Sequence, residues 1–422
     1  MPSRKKTLLI LTTTSPESYS PAWERIRFIA LASTGLFQAV AVLALTSSKR
    51  RKTKANVCNL KTRLRVINFS RSMPYPLLAL FDPVRFLVLL VHGLLESRHV
   101  KPSFVLASMP PLETGLCAWF LSKICHAKLV VDLRDDWESA VENQLRNYFP
   151  IAFIRVLSTI ASKVYSSAYV IFVVTQTILD TIRRRGVHKP MLLVPNGADT
   201  EIFKPESQSI RLKTRIDYCI PTDKFVTIYC GSGINPYYRL DLVLSSISLL
   251  PRKVSERMFF LFYVYSGSSN LKRLVRLLKI SSDLVEIRSP LPRSKLAKVM
   301  AACDTGLVPF DSKQYLLCAR STKIYEYLSA GLYTISSGPS GGELDLFLSK
   351  NPELGSFTTL RVSDFARSLS KVAERGEVLF KDVLRESRYR FIKENYDRKN
   401  TMENALNSTS NLLNDSERRN VQ

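Results

Sequence analysis

Leu193-Val-Pro-Asn-Gly-Ala-Asp-Thr-Glu-Ile-Phe-Lys-Pro205 is where the chain changes its habit. Two prolines and an Asn-Gly pair are turn chemistry, foreign to a helix interior or a central strand. Before this stretch, short apolar runs alternate with helical patterns. Residues 6–11, 39–45, 65–69, 104–107, 128–132 and 169–174 read as buried strands, with helices over 23–33, 112–124 and 176–185. After a polar interval the alternation resumes. Strands are expected over 225–229, 259–265, 284–287, 305–308 and 333–336, and helices over 239–249, 271–278, 293–302 and 322–330. Such alternation means parallel sheets covered on both faces, because parallel neighbours need a crossover between them. The chain is therefore expected to be α/β, with one half over 1–200, a second over 201–395, and a C-terminal helix and polar tail over 396–422 that frays after Asn407.

Length and composition narrow the class. A chain of 422 residues has room for two or three domains, and 45% hydrophobic with 23% charged residues is ordinary for a folded globular protein. Disorder and fibre are excluded for most of the length. The formal charge of +25 favours anionic partners: nucleic acid, anionic lipid or a phosphorylated substrate. No basic motif interleaved with aromatics supports nucleic acid. Seven cysteines, an odd number with no C-x-x-C spacing, read as reduced thiols of a cytosolic protein, neither a disulfide framework nor a zinc site. The four histidines, His92, His99, His126 and His188, read as structural or exposed.

The N-terminus is basic at Arg4, Lys5 and Lys6, but the apolar run behind it is too short for a signal peptide. No uncharged apolar run approaches the roughly 18 residues of a membrane span; the best candidate, 76–95, contains Asp82, Pro83, Arg85 and His92. The first hundred residues hold only four acids, Glu17, Glu24, Asp82 and Glu96, among many lysines and arginines. Ser48-Lys-Arg-Arg-Lys-Thr-Lys54 is the densest basic run, and 83–95 is apolar with a helical pattern, flanked by Arg85 and Arg98. One reading is a surface that docks on anionic lipid, which makes the protein cytoplasmic and peripheral at the inner face of the cell membrane. The other is a solvated loop beside an ordinary core helix.

Ligands of parallel α/β sheets sit beyond the C-terminal strand edges, where helix N-termini offer N–H groups to phosphate. Three loops qualify. After the first strand, residues 12–24 contain no glycine and end in Ser20-Pro-Ala-Trp-Glu-Arg25; Arg25 or Arg27 is placed to meet an anion, or is a plain surface arginine. After the first strand of the second half, Tyr229-Cys-Gly-Ser-Gly-Ile-Asn-Pro-Tyr-Tyr-Arg-Leu-Asp241 carries Gly231 and Gly233, which allow close backbone approach, and Arg239, a candidate for diphosphate. A tight turn alone explains it equally. The third, Leu317-Cys-Ala-Arg-Ser-Thr-Lys-Ile-Tyr-Glu-Tyr-Leu-Ser-Ala-Gly331, starts a helix at Ser321 or Thr322 and ends it at Gly331. Lys323 and Glu326 then share one face. They form either an i,i+3 ion pair or a site in which Lys323 and the first N–H groups meet phosphate while Glu326 accepts ribose hydroxyls.

Pro195-Asn-Gly-Ala-Asp199 with Phe203 and Pro205 resembles the interdomain segment of glycosyltransferase family 4, and Lys323-Ile-Tyr-Glu-Tyr-Leu-Ser-Ala-Gly331 resembles that family's donor-site helix. Ser108-Met-Pro-Pro-Leu112 and Asp132-Leu-Arg-Asp-Asp-Trp-Glu138 are similar to segments of its surface-polysaccharide branch. The likeness runs from about Leu8 to Tyr396. It implies a GT-B fold, two Rossmann-like domains with parallel sheets facing across a cleft. It also implies a nucleotide-sugar donor in the second domain and a lipid-linked or polysaccharide acceptor in the first. Transfer with retention of configuration follows, without metal or other cofactor, because basic side chains and helix dipoles balance the leaving diphosphate. No Asp-x-Asp motif or metal-ligand spacing is present. The chain departs from the pattern where the family often has a glutamate, at Cys318, and where it has an arginine, at Ser232.

On the resemblance, the donor site comprises Gly231, Gly233, Arg239, Thr322, Lys323, Glu326, Gly341 and Gly342; Arg25 and Arg134 lie on the acceptor side. Asp135, beside Arg134 at the end of a strand, is the candidate to orient or deprotonate the acceptor hydroxyl, with Glu138 second; a helix-capping acid is the alternative. Gly341 and Gly342 bring N–H groups toward the donor, while Glu343 serves that site or caps the next helix. Two further readings stand beside the transferase: a nucleotide-sugar 2-epimerase, and a GT-B binding protein that has lost catalysis.

Overall fold

The structure, a computed structural model, describes residues 6–14, 20–46, 62–69, 81–146 and 148–419, with side chains up to Leu412. The basic run 48–54 and residues 15–19 of the glycine-free loop after the first strand lie outside the described residues. The chain divides into two compact units, Met1–Pro195 with Arg398–Gln422, and Asn196–Asp397.

Unit 1 alternates through β1 (Thr7–Thr12), α1 (Pro21–Ser33), β2 (Ala39–Thr46), β3 (Thr62–Asn68), α2 (Pro83–Val100), β4 (Phe104–Met109) and α3 (Leu112–Ile124). It continues through β5 (Lys128–Leu133), α4 (Trp137–Leu145), α5 (Ile151–Ser167), β6 (Val170–Val173), α6 (Gln176–Arg184) and β7 (Met191–Leu193). Unit 2 holds α7 (Gln208–Asp217), β8 (Phe225–Gly231), α8 (Leu240–Ser248), α9 (Arg252–Ser255), β9 (Met258–Val264), α10 (Ser268–Leu277), β10 (Val285–Arg288) and α11 (Arg293–Ala302). β11 (Thr305–Pro309), α12 (Thr322–Ser329), β12 (Tyr333–Ser337), α13 (Glu343–Lys350), β13 (Gly355–Thr358), α14 (Val362–Leu379) and α15 (Asp382–Tyr396) complete it, and α16 (Arg398–Arg419) returns to unit 1.

Every strand pairing within the two sheets is parallel. The first sheet has the order β3-β2-β1-β4-β5-β6-β7 and the second β10-β9-β8-β11-β12-β13. The central strands are buried along nearly their whole length, from Leu8 to Leu11, Val40 to Leu45 and Met258 to Val264, so they read as continuous apolar runs. In each sheet the chain first builds outward one way and then crosses back, between β1 and β4 and between β8 and β11. These are the switch points beside which α/β proteins bind ligands.

The tail does not fray at Asn407. α16 continues to Arg419 because Met402, Ala405 and Leu406 pack into the core that α1 supplies with Phe28 and Ile29, and Thr409 is buried as well. Two short edge strands, β7 and β13, were absent from the sequence reading. At three and four residues, and only partly buried, they are too short to announce themselves: β7 lies in the brief run Met191–Val194, and β13 has Phe357 as its one large apolar side chain.

Arg25 holds unit 1 to its own exit. Its Nε and Nη2 donate to Asp132 at 2.6–3.0 Å, and its Nη1 donates to the carbonyls of Val194 at 3.0 Å and Pro195 at 3.3 Å. Both side chains are at most 1% exposed. Removing one partner strands a buried charge, so Arg25→Ala is expected to cost unit 1 roughly 3–5 kcal/mol. The three tryptophans, Trp23, Trp119 and Trp137, all lie in unit 1, so urea unfolding followed by their fluorescence reads that unit alone. An unchanged midpoint would contradict the assignment.

Candidate functional site

In unit 2 the residues singled out by sequence gather at the β8–β11 switch point. Ser321 caps α12, its hydroxyl accepting from the Lys323 N–H, and the helix starts at Thr322. The Lys323 side chain turns back across Gly231 at the end of β8. A Cβ on Gly231 would lie 2.7 Å from Lys323 Cε and 2.8 Å from the Tyr229 hydroxyl, so only glycine leaves the lysine its path. Lys323 Nζ donates to the Tyr238 hydroxyl at 2.9 Å and stands 4.1 Å from the centre of that ring and 5.7 Å from that of Tyr229. Burial opposes its charge, but the hydrogen bond to Tyr238, together with Tyr265 and Cys230 nearby, more than offsets that and leaves its pKa above the usual lysine value. Among the described residues it has no carboxylate partner.

The other cations of this region are paired. Arg239 stands at the N-cap of α8 and binds Asp241 through two nitrogens at 2.8–3.2 Å, with Asp311 at 3.8 Å. Its charge is thus balanced locally, which sequence alone could not show. Arg293 donates to Glu326 at 2.8 Å and lies 4.7 Å over the Phe203 ring, so the proposed ribose carboxylate is held by a residue that the sequence reading placed only at a helix start. Arg320 binds Glu343, which opens α13 and is buried. Gly341 and Gly342 do lie at the α13 N-terminus, but their N–H groups go to Asp345 at 2.8 Å and to the Pro339 carbonyl at 3.2 Å. Gly233 serves loop packing: a Cβ there would come 2.6 Å from the Ser266 carbonyl oxygen, to which its own N–H is bonded. Cys318 is buried, its thiol donating to the Tyr315 carbonyl.

In unit 1 the segment 132–138 divides its charges. Asp132 is taken by Arg25. Arg134 donates to the carbonyls of Met109 and Pro110, tying β5 to the 108–112 loop instead of facing solvent. Asp136 caps α4 and binds Arg185 at 2.7 Å. Glu138 is interior: it accepts from the Tyr165 hydroxyl at 2.8 Å, and Arg185 lies 3.3 Å away. Asp135 alone of these acids is exposed. The protein packed around it raises its pKa to about 6, with Arg134 opposing the rise and Asp136 adding to it. Arg25, expected on the acceptor side, is buried in the core contact already described. Arg27 pairs with Glu24 at 2.9 Å. No three His, Cys, Asp or Glu side chains among the described residues cluster as metal ligands do.

No family model matches the sequence, and no curated protein does. Solved structures match over nearly the whole chain. Anabaena Alr3699/HepE in complex with UDP and glucose gives a TM-score of 0.68 at 14% identity, covering 96% of this chain and all of that one. Sucrose-phosphate synthase from Thermosynechococcus elongatus gives 0.72 at 13%, covering 97% and 99%. The UDP-GlcNAc 2-epimerase of Neisseria meningitidis, bound to UDP-GlcNAc, gives 0.58 at 12%, covering 96% and 99%. At these identities the likeness shows the fold, and the fold is GT-B.

Burial pushes Glu138 up to about 7, against the pull of Arg185. An acid raised in the fold stabilises most below its unfolded pKa, near 4.5, and that stability is lost as pH rises through about 7. The unfolding midpoint of unit 1 is expected to fall over that window, and Glu138→Gln, which keeps an acceptor for Tyr165, is expected to flatten the fall. Equal slopes in urea titrations from pH 4.5 to 8 would contradict it.

Proposed function

We propose that this chain is a glycosyltransferase that moves a sugar from a nucleotide-sugar donor to a lipid-linked or polysaccharide acceptor at an anionic membrane surface. Lys323 carries the reading. It is an ammonium without a carboxylate partner among the described residues, at the first turn of α12 and beside a glycine that gives backbone access. As the bond from sugar C1 to the diphosphate oxygen breaks, negative charge gathers on the diphosphate, and an ammonium with a helix N-terminus stabilises it there. Arg239 contributes from the α8 N-cap to the extent that Asp241 releases it, and no metal is required in this account. Glu326, held by Arg293, accepts the ribose hydroxyls. The acceptor oxygen bonds to C1 with retention of configuration, as the resemblance implies, while its proton passes to Asp135, the exposed acid at the end of β5. The likeness to a GT-B protein crystallised with UDP and glucose supports a donor of this class.

One observation favours a second reading, a GT-B binding protein without turnover. The N–H groups of Gly341 and Gly342 and the guanidinium of Arg239 are all engaged within the chain.

The test is nucleoside diphosphate release from UDP-, GDP-, ADP- and dTDP-sugars, with and without lipid-diphosphate-sugar acceptors. The transferase reading expects acceptor-dependent release that survives a chelator. Lys323→Ala should lower kcat/KM at least tenfold, and Asp135→Asn should lower kcat about a hundredfold with donor affinity kept. Sugar interconversion without acceptor would mark an epimerase, and donor binding without release the binding protein. Unchanged kinetics in Lys323→Ala would remove that residue from the account.

A further inference from the structure

The outer layer of unit 1 carries a pattern that sugar transfer does not use. α2 exposes Val84, Leu87, Val91 and Leu95, whose spacing of three and four residues draws one stripe along the helix. Leu87 and Val91 are 55% and 54% exposed. α3 packs on α2, where the rings of Phe86 and Phe120 meet at 5.9 Å, and it exposes Phe120 and Ile124. α5 packs on α3 and exposes Phe153 and Val156. Three neighbouring helices therefore turn aliphatic and aromatic side chains outward.

A water-facing helix layer normally breaks such a patch with charges of both signs. Here the acids are hidden. Glu96 of α2 is 1% exposed and bound by Arg63 and Arg65 from β3. Glu113 of α3 is equally buried, accepting the Asp82 N–H at 2.8 Å with Arg85 beside it. α5 contains no acid. The charged side chains these helices do expose, Arg98, Lys123, Arg155 and Lys163, are all positive. A second copy meeting this face would set like charge against like. Lipid headgroups bearing negative charge satisfy both features, with apolar side chains entering the headgroup–acyl boundary and cations meeting phosphate.

We infer that the outer face of α2, α3 and α5 is a docking surface for an anionic lipid bilayer. It deepens the proposed function by assigning the membrane partner to particular helices, and its test uses neither donor nor acceptor.

The experiment is co-sedimentation of the full chain with vesicles of phosphatidylcholine alone and of phosphatidylcholine with an equal share of phosphatidylglycerol. The protein is expected to pellet with the anionic vesicles only. Leu87→Glu with Val91→Glu is expected to lower the partition coefficient at least tenfold, and Ile124→Glu, on a different helix, to lower it as well. Both leave the basic run 48–54 intact, so unchanged binding in variants with wild-type melting temperatures would overturn the proposal even if that run binds vesicles. Equal pelleting with both lipids would overturn it too, as would a wild-type dimer that the variants split without loss of vesicle binding. A thermal shift by nucleotide-sugars should be the same in these variants as in wild type. Its absence in all of them would count against the donor site and leave the docking result standing.

Discussion

Arg25 and Asp132 meet where no water reaches, 107 positions apart in the chain. A buried charge persists only when it is paired and its remaining hydrogen-bonding groups are satisfied. Asp132 supplies the pair, and the carbonyls of Val194 and Pro195 take the remaining donor group. The contact thus joins α1, the end of β5 and the point where the chain leaves unit 1. The short segment that follows Asp132 sets out from this anchor. Arg134 reaches sideways to the loop after β4, Asp136 and Glu138 turn inward to Arg185, and Asp135 remains at the surface.

Unit 2 repeats the economy with other residues. Arg211, Arg215 and Arg385 converge on Asp304 at the start of β11, and Arg215 and Arg385 spend further donors on carbonyls around it. At the opposite, C-terminal edge of the sheet, Arg293, Arg320 and Arg239 each have an acid. The ammonium of Lys323 rests on phenols instead, which leave its charge uncancelled. A +25 chain has many cations, but few are both fixed in position and electrically unspent. The combination makes Lys323 the centre of the donor account.

The strands of both sheets were legible because parallel strands buried on both faces are written as continuous apolar runs, as in 258–264. The α12 helix was legible because its cap, lysine, glutamate and terminal glycine lie within eleven consecutive residues, 321–331. Of the four edge strands, β3 and β10 were legible but β7 and β13 were not: β7 is three residues within the short run Met191–Val194, only partly buried, and β13 is Gly-Ser-Phe-Thr, with a single apolar side chain. The length of α16 was hidden because its apolar positions mean little until α1 is known to lie beneath them. Least legible were the partners of charged residues. Arg25 and Arg239 read as anion binders in one dimension, yet Arg25 answers to an acid over a hundred positions away and Arg239 to one just two positions on. Arg293 passed unnoticed because its partner, Glu326, is 33 positions distant and one arginine among many carries no signal of its own.

The central claim is that unit 2 binds a nucleotide-sugar between the end of β8 and the start of α12. Hydrogen–deuterium exchange of the full chain, with and without saturating UDP-, GDP-, ADP- or dTDP-sugar, tests it most directly. The account predicts that one nucleotide class slows exchange in 229–241 and 317–329 together, and that Lys323→Ala weakens this protection. Protection confined to other segments, or none with any of the four in a folded protein, would contradict it.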